Sequence, residues 1–171
     1  MHIRPATGDD AAAIVDILLP IVRAGETYAL DRDMTPDRIL AFWTASDHTV
    51  FVAELAGVVV GSYFCRANKA GGGRHVANCG YAVAARAGGR GIARAMAGHS
   101  FDHARAAGFR AMQYNFVIAT NARAVRLWLS LGFETVGRLP GAFDHPTLGE
   151  VDALVLYRRL QKPLPPCGDS D

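Results

Sequence analysis

The spacing of apolar residues near the N-terminus predicts a short strand followed by two helices. Residues 1–6 favour a strand that ends at Pro5, because proline cannot donate a hydrogen bond to a sheet. Thr7 follows as a helix cap, with Asp9 and Asp10 as acidic first-turn residues. The first helix is predicted from apolar side chains at helical spacing: Ile14, Ile17, Leu18 and Ile21. After a loop, residues 37–44 predict a second short helix.

Three runs in the middle of the chain, rich in β-branched and aromatic residues, predict strands. Residues 49–55 and 58–66 are separated only by Ala56 and Gly57, which indicates a β-hairpin. A glycine-rich loop over residues 68–75 then leads to a fourth strand over residues 75–83.

The second half of the chain alternates helices with strands. A third helix is predicted to begin near Gly89 and to end at Gly108 in the left-handed conformation. Its buried face is expected to carry Ile92, Met96, Phe101 and Ala104, and its outer face Arg90, Arg94, Asp102 and Arg105. A fifth strand over residues 110–118 precedes a helix that ends at Gly132. The inward residues of that helix are expected to be Val125, Trp128 and Leu129.

Residues 133–139 and 150–160 predict the last two strands. The resulting order, β-α-α-β-β-β-α-β-α-β-β, is that of a mixed α/β domain with strand–helix–strand crossovers at its centre. The length of 171 residues is ordinary for one domain that buries its own core. We expect a single domain over residues 1–160 and a disordered, proline-rich tail over residues 161–171.

Charge and targeting signals exclude several classes of function. The net charge of +2 provides no bulk electrostatic attraction for nucleic acid or a membrane surface. No signal peptide and no apolar run of membrane-spanning length is recognisable, so a cytoplasmic location is expected. Cys65, Cys79 and Cys167 form no CxxC pair and are expected to be reduced thiols.

The segment GGRGIARAM, residues 88–96, places three glycines within four residues at the start of the third helix. The first N–H groups of a helix have no internal partner, so glycines there allow an anion to approach the backbone closely. Arg90 and Arg94 would add charge. A dinucleotide fingerprint fails, because Arg94 stands where the third glycine is required, and a GxxxxGK[ST] loop is absent. From this segment alone, a turn that merely needs flexible residues remains the alternative.

Two segments taken together, AVAARAGGRGIARAM (82–96) and NARAVRLWLSLGF (121–133), resemble the GNAT superfamily of acetyl-CoA-dependent N-acetyltransferases. The family motif Q/R-x-x-G-x-G/A falls on Gly88, Gly91 and Ala93, and Gly88 departs from it by lacking the side chain that binds pyrophosphate. The second motif, N-x-x-A-x-x-L-Y-x-x-x-G-F, is matched by Asn121, Ala124, Leu127, Trp128, Gly132 and Phe133. Here the family tyrosine is replaced by Trp128.

This resemblance implies the acyl-CoA N-acyltransferase fold, a mixed, mostly antiparallel sheet of about seven strands that splays between strands four and five and is flanked by about four helices. It implies acetyl-CoA as cosubstrate, a small-molecule amine as partner, no metal, and a homodimer by analogy. It also implies a bulge near Ala82–Val83, where backbone groups of Tyr81 and Val83 would meet the thioester and pantetheine. Arg86 or Arg90 would compensate for Gly88. The implied cofactor-binding residues are Tyr81, Ala82, Val83, Gly88, Gly89, Arg90, Gly91, Ile92, Ala93, Arg94, Asn121 and Trp128.

Acetyl transfer needs a deprotonated amine and a proton for the leaving thiolate. The fourth and fifth predicted strands contain no Asp or Glu, so the base is water or a residue from elsewhere: Glu26, Asp144, His145 or Asp152. An indole N–H cannot transfer its proton, so the thiolate proton would come from Tyr114 or from water, or would not be needed. Trp128 itself is expected to be a core residue. His99 and His103 have metal-ligand spacing, but they are expected on the solvated side of the third helix and predict no metal site.

Asn78 and Asn115 are unusual on central strands, where asparagine is depleted. Either each caps a splayed strand end, or both face an acceptor cleft and bind a substrate carboxylate or carbonyl. Asn121 likewise is either a helix cap or a pantetheine ligand. The segments YNFVIATN, LGFETVGRLPGAFDHP and VDALVLYRR resemble the branch that contains a yeast acetyltransferase of azetidine-2-carboxylate. This resemblance implies that Asn78 and Asn115 face the acceptor and that Asn121 binds the cofactor.

The expected function is N-acetylation of a small amine, an amino or imino acid or a toxic analogue of one. Two alternatives remain at this point. One is a peptide or protein N-terminal acetyltransferase, and the other is a non-catalytic acyl-CoA-binding sensor module. A comparison of activity on free amino acids with activity on peptides would distinguish the expected function from the first alternative. Tight coenzyme A binding without turnover would favour the second alternative.

Overall fold

A seven-stranded mixed sheet with four helices forms the chain in the computed structural model, which describes residues 1–160. The strands are β1 (His2–Pro5), β2 (Thr49–Leu55), β3 (Val58–Ala67), β4 (Val76–Val83), β5 (Ala111–Ile118), β6 (Glu134–His145) and β7 (Gly149–Arg159). The helices are α1 (Ala11–Ala24), α2 (Pro36–Trp43), α3 (Ile92–Ala106) and α4 (Ala122–Ser130). The strands lie in the order β1-β2-β3-β4-β5-β7-β6. The predicted element order and fold class are confirmed, whereas the tail predicted for residues 161–171 lies outside the described residues.

The sheet splays open between β4 and β5, as predicted. These two strands are parallel and pair only at Val76 with Ala111 and at Ala77 with Met112, whereas all other neighbouring strands are antiparallel. Beyond Ala77 the backbone of β4 therefore has no strand partner on the β5 side. The split opens toward the end of β4 that leads into the glycine segment.

The bulge that helps to open the split lies on β5, so its predicted position near Ala82–Val83 is wrong. The register of β4 with β3 is unbroken from Val83, opposite Gly61, to Ala77, opposite Ala67. On β5 the register with β7 shifts by one residue after Tyr114, which leaves two residues opposite one. An extra residue bends the strand that carries it, so β5 turns away from β4.

The core lies between the sheet and one face of each helix. The predicted inward positions Ile14, Ile17 and Leu18 of α1 are all buried, and Ile92, Met96, Phe101 and Ala104 of α3 are buried as well. On α4 only Trp128 is buried, and the prediction for Leu129 is wrong because its side chain is 45% exposed. A helix of nine residues packs along one narrow stripe, and the residue next to Trp128 is rotated away from it.

His99 and His103 lie against the sheet rather than on the solvated side of α3, where they were expected. Their rings contact Phe51 at centroid distances of 5.1 Å and 4.8 Å. The Nδ1 atom of His99 lies 2.6 Å from the Tyr63 hydroxyl. Burial lowers the pKa of both imidazoles. The two histidines therefore help to pack α3 against β2 and β3.

No helix among residues 1–160 combines the length and the apolar character that crossing a membrane requires. The loops and helix ends follow the predicted pattern. Ala56 and Gly57 have positive φ angles of 51° and 77°, the backbone of a two-residue hairpin turn. Gly108 and Gly132 end the regions of α3 and α4 with φ angles of +85° and +81°.

A buried carboxylate ties the first strand to the start of the first helix. Asp10 is 5% exposed, and its oxygens accept hydrogen bonds from Arg4 at 2.8 Å and 2.9 Å and from the Thr7 backbone N–H at 2.8 Å. Arg4 also donates to Glu54 on the neighbouring strand β2. The Arg4 guanidinium holds the pKa of Asp10 at about 2, below its ordinary value of 3.8.

Replacing Asp10 with asparagine is expected to lower the free energy of unfolding at pH 7 by about 1–2 kcal/mol, because charged hydrogen bonds are lost. The pKa of Asp10 is depressed in the folded state, so its contribution is complete above about pH 4 and is lost as the pH falls toward about 2. Urea unfolding of wild type and Asp10→Asn across this range should show that the difference between their free energies of unfolding shrinks as the pH falls. The exposed neighbour Asp9 provides the control Asp9→Asn, and an equal loss in both variants would contradict the prediction.

Candidate active site

The glycine segment connects β4 to α3 in a conformation that requires glycine at two positions. Gly89 and Gly91 have φ angles of +79° and +76°, a region that side chains rarely adopt. A Cβ atom built on either residue has no heavy atom within 4 Å, so the space beside the backbone is open. The turn therefore needs the conformational freedom of glycine, and its backbone is also open to the close approach of another group. Gly88 is different, since its φ angle of −59° suits any residue.

The N-terminus of α3 presents unpaired backbone N–H groups to a cavity of about 820 Å³. The first helical hydrogen bond runs from Ala95 N to Gly91 O, so the three preceding N–H groups have no partner within the helix. Gly91, Ile92, Ala93 and Arg94 line the cavity. The lining residues within 1–160 include three arginines (Arg94, Arg123 and Arg126) and no acid. The helix dipole and the arginine charges together give this cavity a positive potential that suits an anion.

Most residues predicted to bind the cofactor line this cavity, with two exceptions. The lining includes Tyr81, Val83, Gly88, Gly89, Gly91, Ile92, Ala93, Arg94, Asn121 and Trp128. Ala82 lines a second cavity instead, and Arg90 lines neither. Arg86, a candidate to compensate for Gly88, donates a hydrogen bond to the carbonyl of Val59.

Arg123 takes the place that a longer side chain at position 88 would occupy, and the sequence reasoning missed it. A Cβ atom at Gly88 would lie 3.7 Å from the Arg123 guanidinium. The spacing of Arg123 and Arg126 at the start of α4 was the available signal, because residues three apart share a helix face. What the sequence could not supply is that this face turns toward the glycine segment.

The backbone of β4 directs polar groups into the split. Hydrogen bonds from Asn68 N to Val76 O and from Ala84 N to Val60 O show that the even-numbered residues of β4 bond to β3. In an antiparallel pair the alternate residues then point their N–H and C=O groups the other way. Those residues include Tyr81 and Val83, and the Tyr81 carbonyl already accepts a hydrogen bond of 2.8 Å from the Tyr28 hydroxyl. The N–H groups of both residues face the split.

A second cavity, of about 460 Å³, lies on the other side of the split. It shares five lining residues with the first cavity, at the N-terminus of α3: Tyr81, Val83, Asn121, Ala124 and Trp128. Its remaining wall combines small and aliphatic residues with one arginine, Arg66, and with aromatic and amide side chains that include Tyr28, Phe42, Phe64, Phe116, Asn78 and Asn115. A group held in one cavity can therefore reach a group held in the other through the split.

The two unusual asparagines line the second cavity and also hold strand ends. Asn78 Nδ2 donates to the carbonyl of Gln113 at 2.9 Å and so bridges β4 and β5 where their pairing has ended. Asn115 Nδ2 donates to Asn68 Oδ1 at 2.7 Å, and its Oδ1 accepts from Gln113 Nε2 at 2.9 Å. The hydrogen bond of Asn78 agrees with the capping interpretation, while both side chains border the cavity that the functional interpretation requires.

Asn121 likewise caps a helix and borders the split. Its Oδ1 accepts from Ala124 N at 3.1 Å, which confirms the helix-cap interpretation. Its residue borders both cavities at the split. Trp128 lies beside it and packs on Tyr81 and Tyr114 at ring-centroid distances of 5.0 Å and 4.9 Å. Trp128 is both a core residue and a wall of the passage.

The buried tyrosines form a hydrogen-bond chain that leads away from the split. Tyr114 donates to the Tyr81 hydroxyl at 3.0 Å, which bonds Ser100 at 2.7 Å, and Ser100 donates to the carbonyl of Ala97. Burial raises the pKa of Tyr81 and of Tyr114 well above the ordinary value. The chain ends on a backbone carbonyl, which cannot release a proton, so Tyr114 is a poor proton donor.

None of the distant candidates for a general base lies at the split. Glu26, Asp144, His145 and Asp152 are absent from the walls of both cavities. Asp152 is engaged elsewhere, because it pairs with Arg138 and accepts a hydrogen bond from Gly141 N. Among residues 1–160, neither cavity wall contains a carboxylate or an imidazole.

Comparisons with known proteins agree on one family. A family model described as "Acetyltransferase (GNAT) family" matches residues 14–133. The N-acetyltransferase aca1 of Schizosaccharomyces pombe is 27% identical over 137 residues, which are 71% of this chain and 66% of that protein, slightly less than two thirds of its length. A GCN5-related N-acetyltransferase structure from Kribbella flavida is 42% identical, with a TM-score of 0.87 over 92% of this chain and 96% of that one. The structure of yncA from Salmonella typhimurium, a putative acetyltransferase with its cofactor acetyl-CoA, is 27% identical over 98% of both chains, with a TM-score of 0.83.

Proposed function

The chain belongs to the acetyltransferase (GNAT) family, and from this premise we propose that it transfers the acetyl group of acetyl-CoA to the amine of a small molecule, an amino or imino acid or a toxic analogue of one. One observation carries the proposal: a cationic cavity at a helix N-terminus meets an amide- and aromatic-lined cavity through the split between β4 and β5. The first cavity suits a phosphorylated cosubstrate, and the second suits an acceptor.

The pyrophosphate of coenzyme A is proposed to lie at the start of α3. The free N–H groups there would bind its oxygens, and Arg94, Arg123 and Arg126 would balance its charge. Arg123 would supply the interaction that Gly88 lacks. The pantetheine arm would then run along the split past the amide of Asn121.

The N–H groups of Tyr81 and Val83 are proposed to stabilise the negative charge that develops on the acetyl oxygen. One hydrogen-bond donor to such an oxyanion contributes roughly 3–4 kcal/mol in other enzymes. The amine nitrogen forms a bond to the acetyl carbon, the carbon–sulfur bond breaks, the amine loses one proton and the thiolate gains one. Since no carboxylate or imidazole lines the cavities, water is proposed to carry both protons.

The acceptor is proposed to lie in the second cavity, bordered by Asn78 and Asn115. Both amides are already oriented by strand hydrogen bonds, so they present fixed polar atoms. Aromatic and aliphatic side chains form much of the rest of the wall and suit a small, partly apolar molecule. A cavity of about 460 Å³ is in the range of small-molecule sites.

A thiol-release assay with acetyl-CoA against amino acids, cyclic imino acids, polyamines and short peptides tests the proposal. Turnover on amino or imino acids is expected, with a loss of about 100-fold in kcat/KM for Asn115→Ala, because the wall loses an oriented amide. Asn115→Asp keeps the shape and adds a negative charge, so it should be equally poor on these acids. Preference for peptides would overturn the substrate class, and coenzyme A binding without release on any amine would overturn the proposed reaction.

A further inference from the structure

Arg66 is the one charged side chain in the wall of the second cavity among residues 1–160, and nothing in the sequence had singled it out. We propose that Arg66 binds the carboxylate of the acceptor, so that the enzyme selects anionic amino and imino acids over neutral or cationic amines. This inference rests on the proposed function, since it assigns the acceptor class of the same site.

The guanidinium of Arg66 is incompletely paired. Its Nε atom is buried and has no hydrogen-bond partner within residues 1–160. A second nitrogen, Nη1, lies 3.4 Å from Asp47, whose side chain is 61% exposed. An exposed pair at that distance contributes little, and a buried N–H without an acceptor is unfavourable. A carboxylate in the cavity would bind the accessible part of the guanidinium, and a turn of the side chain would bring Nε to it as well, in the two-point geometry that guanidinium groups favour.

The position of Arg66 places that charge beside the predicted acceptor residues. Arg66 lies directly opposite Asn78 in the register of β3 and β4, so the two side chains leave the same face of the sheet. Two residues earlier on β3, the ring of Phe64 lies over Gly80, where a Cβ atom would be 2.5 Å from it. The cavity thus has a cationic end at Arg66 next to an apolar surface at Phe64.

This arrangement matches the chemistry of an amino acid. A carboxylate at Arg66 would leave the apolar part of the molecule on Phe64 and Phe42, and the amine would face the split at Tyr81 and Val83. No acid lines the cavity among the described residues, and Asp47, the partner of Arg66, lies outside its wall. A polyamine or other cationic acceptor would therefore meet the Arg66 charge without a carboxylate in the wall to bind it. The net charge of the wall therefore favours anionic acceptors.

The test compares each acid with its amide, which lacks the negative charge: L-proline with L-prolinamide and L-leucine with L-leucinamide. Binding is measured by titration calorimetry with the enzyme saturated in coenzyme A, and turnover by thiol release. Wild type is expected to prefer the acids by about 100-fold, and Arg66→Gln to lose that preference mainly through KM. Arg66→Lys should recover part of it, because it keeps the charge but not the two-point geometry.

Arg74→Gln removes the same charge from an exposed position outside both cavities and should behave as wild type. The unfolding temperature and the coenzyme A affinity of Arg66→Gln should equal those of wild type. This result would show that Arg66 acts on the choice of acceptor and not on the stability of the fold. Equal binding of acids and amides by wild type would overturn the Arg66 assignment, even if acetyl transfer occurs. Acid-selective binding lost in Arg66→Gln, without turnover on any amine, would support Arg66 and overturn the proposed reaction. No binding of any acid would overturn the Arg66 assignment.

Discussion

Replacing Gly91 with valine is expected to weaken binding of coenzyme A by about 100-fold. Gly91 precedes α3 with a φ angle of +76°, where a β-branched residue costs about 1–3 kcal/mol. The turn would relax toward negative φ, and the N–H groups of Ile92 and Ala93 would no longer converge on one anion. Titration calorimetry with coenzyme A measures the loss directly, without any need to know the acceptor.

Gly98→Val provides the matched control for this prediction. Gly98 lies inside the same helix, has open space where a Cβ atom would project, and borders neither cavity. The same substitution there should leave coenzyme A affinity unchanged and should not lower stability, because glycine is a poor helix former. If both variants bind coenzyme A like wild type, the glycine turn is not the phosphate site.

The second large effect is expected in the pH profile: kcat/KM should rise about tenfold per pH unit from pH 6 to pH 9. An amine with a pKa near 10 is mostly protonated in this range, and only the free amine reacts. Burial raises the pKa of Tyr28, Tyr81, Tyr114 and Cys79, the weakly acidic groups of the cavity walls. These groups stay protonated over that range, so none of them removes the amine proton as a base.

The profile is measured with acetyl-CoA at saturation and an acceptor that gives turnover. Glu26→Gln and Asp152→Asn serve as controls and should retain the same slope, because neither residue reaches a cavity wall. A plateau that begins near pH 6–7 would contradict the prediction, since it would reveal a base that titrates there, an imidazole or a carboxyl group with a raised pKa. Loss of that plateau in one control variant would identify the residue.

Local sequence features predicted the elements and the glycine turn well, because each depends on neighbours along the chain. The hairpin at Ala56–Gly57 follows from its two-residue connection, and the conformation at Gly91 follows from the motif around it. The buried face of α3 follows from helical periodicity. The roles of Asn78 and Asn115 remain predictions, since their strand contacts and their place in the cavity wall are both compatible with the structure.

Errors arose where a feature depends on packing between distant segments. The bulge was placed on the wrong side of the split, because the register between β5 and β7 is not encoded near either strand. Leu129 was expected to be buried because it is apolar, yet the short helix α4 buries its neighbour Trp128 and leaves Leu129 exposed. His99 and His103 looked solvated by polarity, yet the ring of Phe51 from β2 covers them.

By itself, the sequence determined the order of strands and helices, the family through two spaced motifs, and the absence of acidic residues from β4 and β5. These properties are set by composition, periodicity and short motifs. Only the tertiary structure decided that Arg123 lies beside Gly88 and that Arg66 lies opposite Asn78. Both contacts join residues from different elements. The packing of α4 brings Arg123 to Gly88, and the pairing of β3 with β4 brings Arg66 to Asn78. The charges at the two ends of the split are therefore a property of the fold rather than of any one segment.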